Sequence, residues 1–333
     1  MVPTGPDQEL FQRLREGDRG ALARAITLVE STRPSDREMA SALLSAALPF
    51  SGNSLRLGIT GIPGVGKSTL INALGMLAID KGHAVAVLAT DPSSQRSGGS
   101  ILGDKTRMEE LSRQTKAFIR PTASSGFLGG VAQHTREVIV LCEAAGFDLI
   151  LVETVGVGQS ELEVDRITDL NLLLMIPGAG DELQGIKRGI MESADVIVLT
   201  KSDGQDTVAH EAARTDLRNA IAFLPERDSG SRPEVLLTDA ITGKGVPELL
   251  QHVMELHARS TTTGHLSVRR GSQDVHWLKQ SLRDGLMDLL MRDPRTAALL
   301  EQLEPRVRSG DLDPFRAARE VLERFRTGDA PLP

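Results

Sequence analysis

The sequence predicts an α/β fold in which a mostly parallel sheet is covered by helices on both faces. Three observations lead there. Short, almost wholly apolar runs recur between residues 55 and 259, separated by stretches of helical periodicity. Strands of that kind are buried on both faces, as in parallel sheets. The first run, residues 55–60, leads directly into Gly61-Ile62-Pro63-Gly64-Val65-Gly66-Lys67-Ser68-Thr69, which fits the pattern G-x-x-x-x-G-K-[ST]. Finally, Asp91, Glu153 and Asp203 stand at or just beyond the ends of apolar runs, where such sheets bind ligands.

In chain order, residues 7–50 read as a helical extension. Leu10, Leu14, Leu22, Ile26 and Val29 form one stripe, and Met39, Leu43, Leu44 and Leu48 another, with Ser35 as the expected N-cap of the second. Strands are expected at 55–60, 84–89, 116–120, 147–152, 170–176, 196–200 and 234–238. Helices are expected from 69 to Gly82 and at 130–145, 181–193, 206–223 and 246–258. Residues 260–264 read as a polar linker, and beyond them only helices follow. Val275, Leu278, Leu282, Leu286 and Leu289 recur at helical spacing, and Asp313-Pro314 is an N-cap and first-turn pair for a last helix with the stripe Phe315, Ala318, Val321, Leu322 and Phe325. These helices either pack on the main domain or form a dimer arm. Three helices make a poor core alone, which favours the arm. The expected domains are a helical extension (1–53), a phosphate-binding domain (54–260) and a C-terminal dimerisation region (261–333).

Composition sets bounds. The 333 residues suit about two domains. With 40% hydrophobic and only 3% aromatic residues, the core must be aliphatic. A net charge of −7 argues against a nucleic-acid or anionic-membrane surface. Cys142, the single cysteine, lies in an apolar run and reads as a buried packing residue. The N-terminus lacks a basic start and apolar block, and no uncharged apolar run nears ~18 residues. The expected setting is the cytoplasm, with no membrane partner.

The residue types at positions 61–69 suit a nucleotide triphosphate. Glycines let backbone N–H groups curl around the phosphates, and the following helix N-terminus adds about half a positive charge. Lys67 neutralises the outer phosphates and the Ser68 hydroxyl ligates Mg²⁺. Residues 147–153 form a buried strand that presents Glu153, which either touches Mg²⁺ or holds one of its waters. Gly156, just beyond, is placed to donate its N–H to the γ-phosphate. The long polar segment 91–107 is bracketed by Asp91 and Asp104, which reads as a switch bringing both carboxylates to the metal. Segment 177–188 carries a glycine-rich turn and Lys187; its charges are either solvated or reach the phosphates. For hydrolysis, Lys187 is the expected mobile cation, while Gln159 and Asp91 are candidates for positioning water.

The base is read by Thr200-Lys201-Ser202-Asp203, which resembles the guanine motif N-K-x-D. One carboxylate, Asp203, matches both donors on the guanine edge, and adenine lacks that pair. The Lys201 stem can lie over the purine ring. Asp239-Ala240-Ile241 follows a strand, where the Ala240 N–H meets the guanine carbonyl. GTP and GDP are therefore the expected nucleotides.

Together these strings resemble the methylmalonyl-CoA mutase-associated GTPases, a family also labelled arginine/ornithine transport ATPases. The resemblance rests on 61–69, Asp91-Pro92-Ser93-Ser94, the run from Gly98 to Met108, the run from Glu153 to Glu161, and Gln184-Gly185-Ile186-Lys187. It covers nearly the whole chain. Thr200, Gln95 and Asp239 depart from the family pattern. The resemblance implies a P-loop NTPase of the SIMIBI-type G-domain class, acting as a cytoplasmic homodimeric GTPase. It implies a partner too, an adenosylcobalamin-dependent acyl-CoA mutase whose cofactor loading and protection the GTPase gates. The alternative is an ATP-driven kinase or ATPase of amino-acid (arginine/ornithine) transport, against which Asp203 speaks. A metal-insertion GTPase is disfavoured because the chain has no Cys/His cluster. Intact Lys67, Ser68 and Glu153 argue against an inactive scaffold.

Overall fold

The computed structural model describes residues 6–31, 33–91, 108–123, 134–154, 160–176, 188–201, 207–227 and 230–327. It divides into two compact units, Met1–Arg269 and Arg270–Pro333. Among the described residues no helix is long and apolar enough to cross a membrane.

The first unit is built on a seven-stranded sheet: β1 (Leu55–Gly61), β2 (Val85–Asp91), β3 (Ala117–Ala123), β4 (Leu149–Glu153), β5 (Leu170–Met175), β6 (Val196–Leu199) and β7 (Glu234–Leu237). Its order is β3-β2-β4-β1-β5-β6-β7, and every pair is parallel. Successive side chains of a strand point to opposite faces, and the two cores follow that period. Leu172, Leu174, Val196 and Val198 enter the core beneath α4 (Lys67–Asp80) and α10 (Val246–Thr262). The alternate residues Leu173, Met175, Ile197 and Leu199 enter a second core with Ile190 of α8 (Arg188–Ser193) and with Leu217 and Ile221 of α9 (Thr207–Ile221). The apolar runs are thus strands covered on both faces.

At the amino end, α1 (Pro6–Arg15), α2 (Arg19–Val29) and α3 (Pro34–Ala47) bury Leu14, Leu22, Ile26 and Leu43 fully. α2 and α3 pack on α6 (Thr135–Ala144). Glu143 of α6 ties this region to the start of β1, accepting from Gly52 N, Ser54 Oγ and the Arg56 guanidinium. Ser35 is not the cap of α3. Arg33 takes the extended N-cap conformation and Pro34 fills the first helical position, where its fixed φ is already helical.

The short helices α5 (Glu109–Ser112) and α7 (Ser160–Asp165) complete the first unit. The expected helix end at Gly82 is observed, with Lys81 as C-cap and Gly82 at φ 103°. Residues 260–262, read as linker, form the last turn of α10 instead. The Thr261 and Thr262 hydroxyls donate to the carbonyls of His257 and Ala258, so polar side chains satisfy themselves without leaving the helix.

α11 (His265–Arg292) begins in the first unit and continues into the second, which also holds α12 (Pro294–Arg308) and α13 (Pro314–Thr327). The small core of this unit joins Leu303, Leu312, Ala317 and Val321 with Leu290, Leu299, Leu300 and Val307. Asp313 caps α13 by accepting from Arg316 N. The buried face of α13 is set by Ala317 and Val321; of the expected stripe, Val321 alone is buried, and Phe315 and Leu322 are exposed. Val275, Leu278, Leu282, Leu286 and Leu289 of α11 are each more than half exposed.

Candidate nucleotide site

The carboxyl ends of β1, β4, β5, β6 and β7 line up side by side, and the predicted phosphate and base residues emerge from them. β1 runs straight into the glycine loop. Gly66 caps α4 in the left-handed conformation, φ 103°, which a side chain would resist. Lys67 opens the helix and is largely buried. Its Nζ donates to Gly61 O at 2.8 Å and Ile62 O at 3.3 Å, which holds the cation inside the curve of residues 61–66. Burial pushes the Lys67 pKa down, and the Glu153 carboxylate opposes the shift.

Glu153 ends β4, opposite Ile59 of β1. The Ser68 hydroxyl donates to its Oε1 at 3.0 Å. Residues 85 positions apart thereby present a hydroxyl and a carboxylate oxygen at one point. Hard oxygen donors of this kind suit Mg²⁺, so Ser68 and Glu153 fit the predicted metal. Among the described residues no group of three His, Cys, Asp or Glu side chains converges. The Asp91 backbone closes β2 opposite Ala123, but its side chain lies outside the described residues, as do Asp104, Gly156, Gln159, Lys187 and Asp203.

Sequence reasoning missed a brace beside this pair. The Thr154 hydroxyl donates to Thr60 Oγ1 at 2.9 Å, and Thr154 N donates to Ile59 O at 3.1 Å. Both threonines are buried. The bonds fix Thr154, at the end of β4, against the end of β1. A hydroxyl residue at the matching end of each neighbouring strand was the available signal.

The base side is built differently. Thr200 follows β6 and is buried. Its hydroxyl donates to Val65 O at 2.8 Å, with Met175 O at 3.3 Å. The geometry makes Thr200 a strut between the end of β6 and the glycine loop. Lys201 comes next at φ 60°, the one non-glycine in the left-handed region among the described residues. At the end of β7, Asp239 Oδ1 accepts from Ile241 N at 2.8 Å and Thr242 N at 3.3 Å. Asp239 N donates to Lys244 O at 2.8 Å and closes the loop. Gly245 follows at φ 76°, where a Cβ would lie 2.1 Å from Leu237 O. Ala240 packs against the main core, whereas Ile241 is exposed. Cys142 is fully buried, burial pushes its thiol up, and it packs as an apolar residue.

Residues 22–295 match the family model of the methylmalonyl Co-A mutase-associated GTPase MeaB. A protein of Mycobacterium tuberculosis named as a GTPase is 51% identical over 314 residues, 94% of each chain. The GTPase ArgK of Escherichia coli is 44% identical across 98% of this chain and 99% of its own. The mouse methylmalonic aciduria type A homolog, mitochondrial, is 42% identical across 96% of this chain and 79% of its own. The crystal structure of a LAO/AO transport system kinase superposes with a TM-score of 0.74 at 37% identity, covering 98% of this chain and all of the other.

Proposed function

Because the chain belongs to the methylmalonyl-CoA mutase-associated GTPase family, we propose that its GTP hydrolysis gates cofactor loading and protection of an adenosylcobalamin-dependent acyl-CoA mutase. The supporting observation is the Ser68 Oγ–Glu153 Oε1 contact beside the buried Lys67, since a hydrolytic site needs a cation clamp and a hard-metal pair at one place. Lys67 binds the outer phosphates, and the main-chain N–H groups of 61–69 orient them. Ser68 and Glu153, with Asp91 and Asp104, are the candidate Mg²⁺ holders; the ion would neutralise charge on the phosphates. Gly156 is the candidate sensor of the γ-phosphate. Lys201, Asp203, Ala240 and Ile241 belong to the base site, with Thr200 and Asp239 supporting it.

Partner control falls to Lys187 and Gln159. A cation brought in on partner binding is worth about 10³–10⁵ in rate. Lys187→Ala is expected to abolish mutase-stimulated phosphate release and leave GDP affinity nearly intact; undiminished stimulation removes Lys187 from the mechanism. We also read residues 1–53 as a helical pad, 54–260 as the GTPase domain and 261–333 as a homodimerisation region in a cytoplasmic protein. The apolar row on α11 supports that reading, because such a patch marks an interaction surface.

The deciding experiment captures the chain from source lysate with a GTP analogue, with GDP and with neither, and probes for a cobalamin-dependent mutase. Nucleotide-dependent capture is expected. Absence of the mutase in all three arms sinks the proposal. Competition between GTP and ATP tests the transport-ATPase alternative, which requires ATP to win.

A further inference from the structure

Two short helices of the first unit end on one carboxylate. α7 and α8 have six residues each, and helices shorter than about 12 residues are marginal in water on their own. Their placement therefore depends on what grips their ends. At the end of α7, Asp165 Oδ1 accepts from Arg269 at 2.8 Å, from Arg227 at 3.0 Å and from Asn171 Nδ2 at 2.6 Å. The same Arg227 donates to Glu192 O of α8 at 3.3 Å and pairs with Asp195 at 3.0 Å. The same Asn171 amide donates to Ser193 O, in the last residue of α8, at 3.3 Å. Arg269 donates as well to the carbonyls of Asp165 and Thr168. Carbonyls at a helix C-terminus lack partners within the helix. Those of Asp165, Glu192 and Ser193 find theirs in the groups that hold the Asp165 carboxylate.

The cluster is sheltered, with the Arg227 and Arg269 side chains 10% and 15% exposed. Burial resists ionisation of Asp165, but Arg269 and Arg227 outweigh it and hold its pKa below the usual range. Beneath the cluster, α7 sits on β1 where Gly58 has no side chain. A Cβ there would lie 2.3 Å from Asn171 Oδ1 and 3.1 Å from Val164 Cγ1 of α7. α7 and α8 also pack on each other. A shift of α7 therefore acts on the clamp, and through it on α8.

We propose that Asp165 is a positioning residue that couples α7 to α8, so that a change of nucleotide felt at one helix reaches the other. The five residues before α7 include Gly156 and Gln159, and Lys187 immediately precedes α8. The proposal rests on the GTPase reading above, in which these residues serve γ-phosphate sensing and partner control. Coupling between two places needs an element that both bias, and the Asp165 cluster is such an element.

Hydrogen exchange, followed by mass spectrometry on the full-length chain with GDP and with a non-hydrolysable GTP analogue, tests this. In the wild type, peptides covering α7 and α8 are both expected to differ between the two nucleotides. In Asp165→Ala the difference at α8 is expected to be lost while that at α7 remains. A merely structural role would raise exchange with both nucleotides alike and leave the difference at α8 in place, which would overturn the proposal. A wild type in which α8 shows no difference, or an Asp165→Ala chain in which both differences vanish, overturns it too. Arg227→Lys guards against misfolding of the alanine variant. It keeps the charge, but one ammonium lacks the planar fork that spans Asp165, Asp195 and Glu192 O. The α8 difference is expected to shrink in that variant, and an undiminished one counts against the coupling. Titration with both nucleotides is read separately. A chain that binds neither overturns the GTPase reading and the coupling with it, a result distinct from binding without coupling.

Discussion

The expected phosphate side and the expected base side of the site sit on strand ends separated by β5 and are held by different means. On the phosphate side, backbone carbonyls grip Lys67 and one side-chain pair, Ser68 with Glu153, closes the floor. On the base side, side chains carry the frame: Thr200 reaches across to Val65 O, and Asp239 organises its own loop. Backbone-built sites depend on glycine and strand geometry and show in a short string. Side-chain-built sites can exchange residues while the frame stays upright, which is how Thr200 and Asp239 depart from the usual pattern and still make these hydrogen bonds.

That contrast can be broken experimentally. Lys67→Ala should show the largest effect, since no other described cation is held inside the glycine loop. We expect a loss of about 10²–10³ in kcat/KM for GTP, read by phosphate release; a loss under tenfold would mean another cation does its work. Gly245→Ala should be next. Its Cβ would collide with Leu237 O in a left-handed backbone, and a cost of roughly 1–3 kcal/mol is expected in urea unfolding. A neutral result would show that the base loop is looser than its frame suggests.

Thr200→Val removes the hydroxyl with little change of shape and strands Val65 O. We expect GDP and GTP affinity to fall about tenfold with kcat nearly unchanged, and Thr200→Ser to restore it. Equal loss in both variants would assign Thr200 a packing role alone. The smallest effect concerns acid. The Asp239 carboxyl is held low in the folded chain, so its ionised form adds stability that is full above about pH 4 and is lost as pH falls through the lower folded value. The stability gap between wild type and Asp239→Asn should therefore narrow below about pH 4. A gap independent of pH would show that the carboxyl gains nothing from being ionised.

Much of this was legible in the sequence, and the physical reasons are uneven. Apolar runs are strands because the two cores demand alternate residues from each of them, as Leu172 and Leu173 show. Glu153 was legible because a carboxylate ending a buried run is costly without a purpose. The Thr60–Thr154 brace was not, since threonine at a strand end is unremarkable until its partner strand is known. The start of α3 was misplaced because Ser35 resembles a cap while Pro34 fixes the turn one residue earlier. The stretch 260–262 looked like linker because threonine is polar; its hydroxyls instead bond back along the helix. On α13 the phase was wrong because apolar residues on a surface helix of a small unit need not face its own core.

Lys201 has one more consequence. Left-handed backbone suits glycine, and a lysine there works against the fold's own preference. Replacing it with glycine should raise the melting temperature of the nucleotide-free chain while weakening its grip on the nucleotide. A screen for thermal robustness would therefore select against the residue proposed to lie over the base, and a hardier version of this chain that keeps Lys201 would keep that proposed contact.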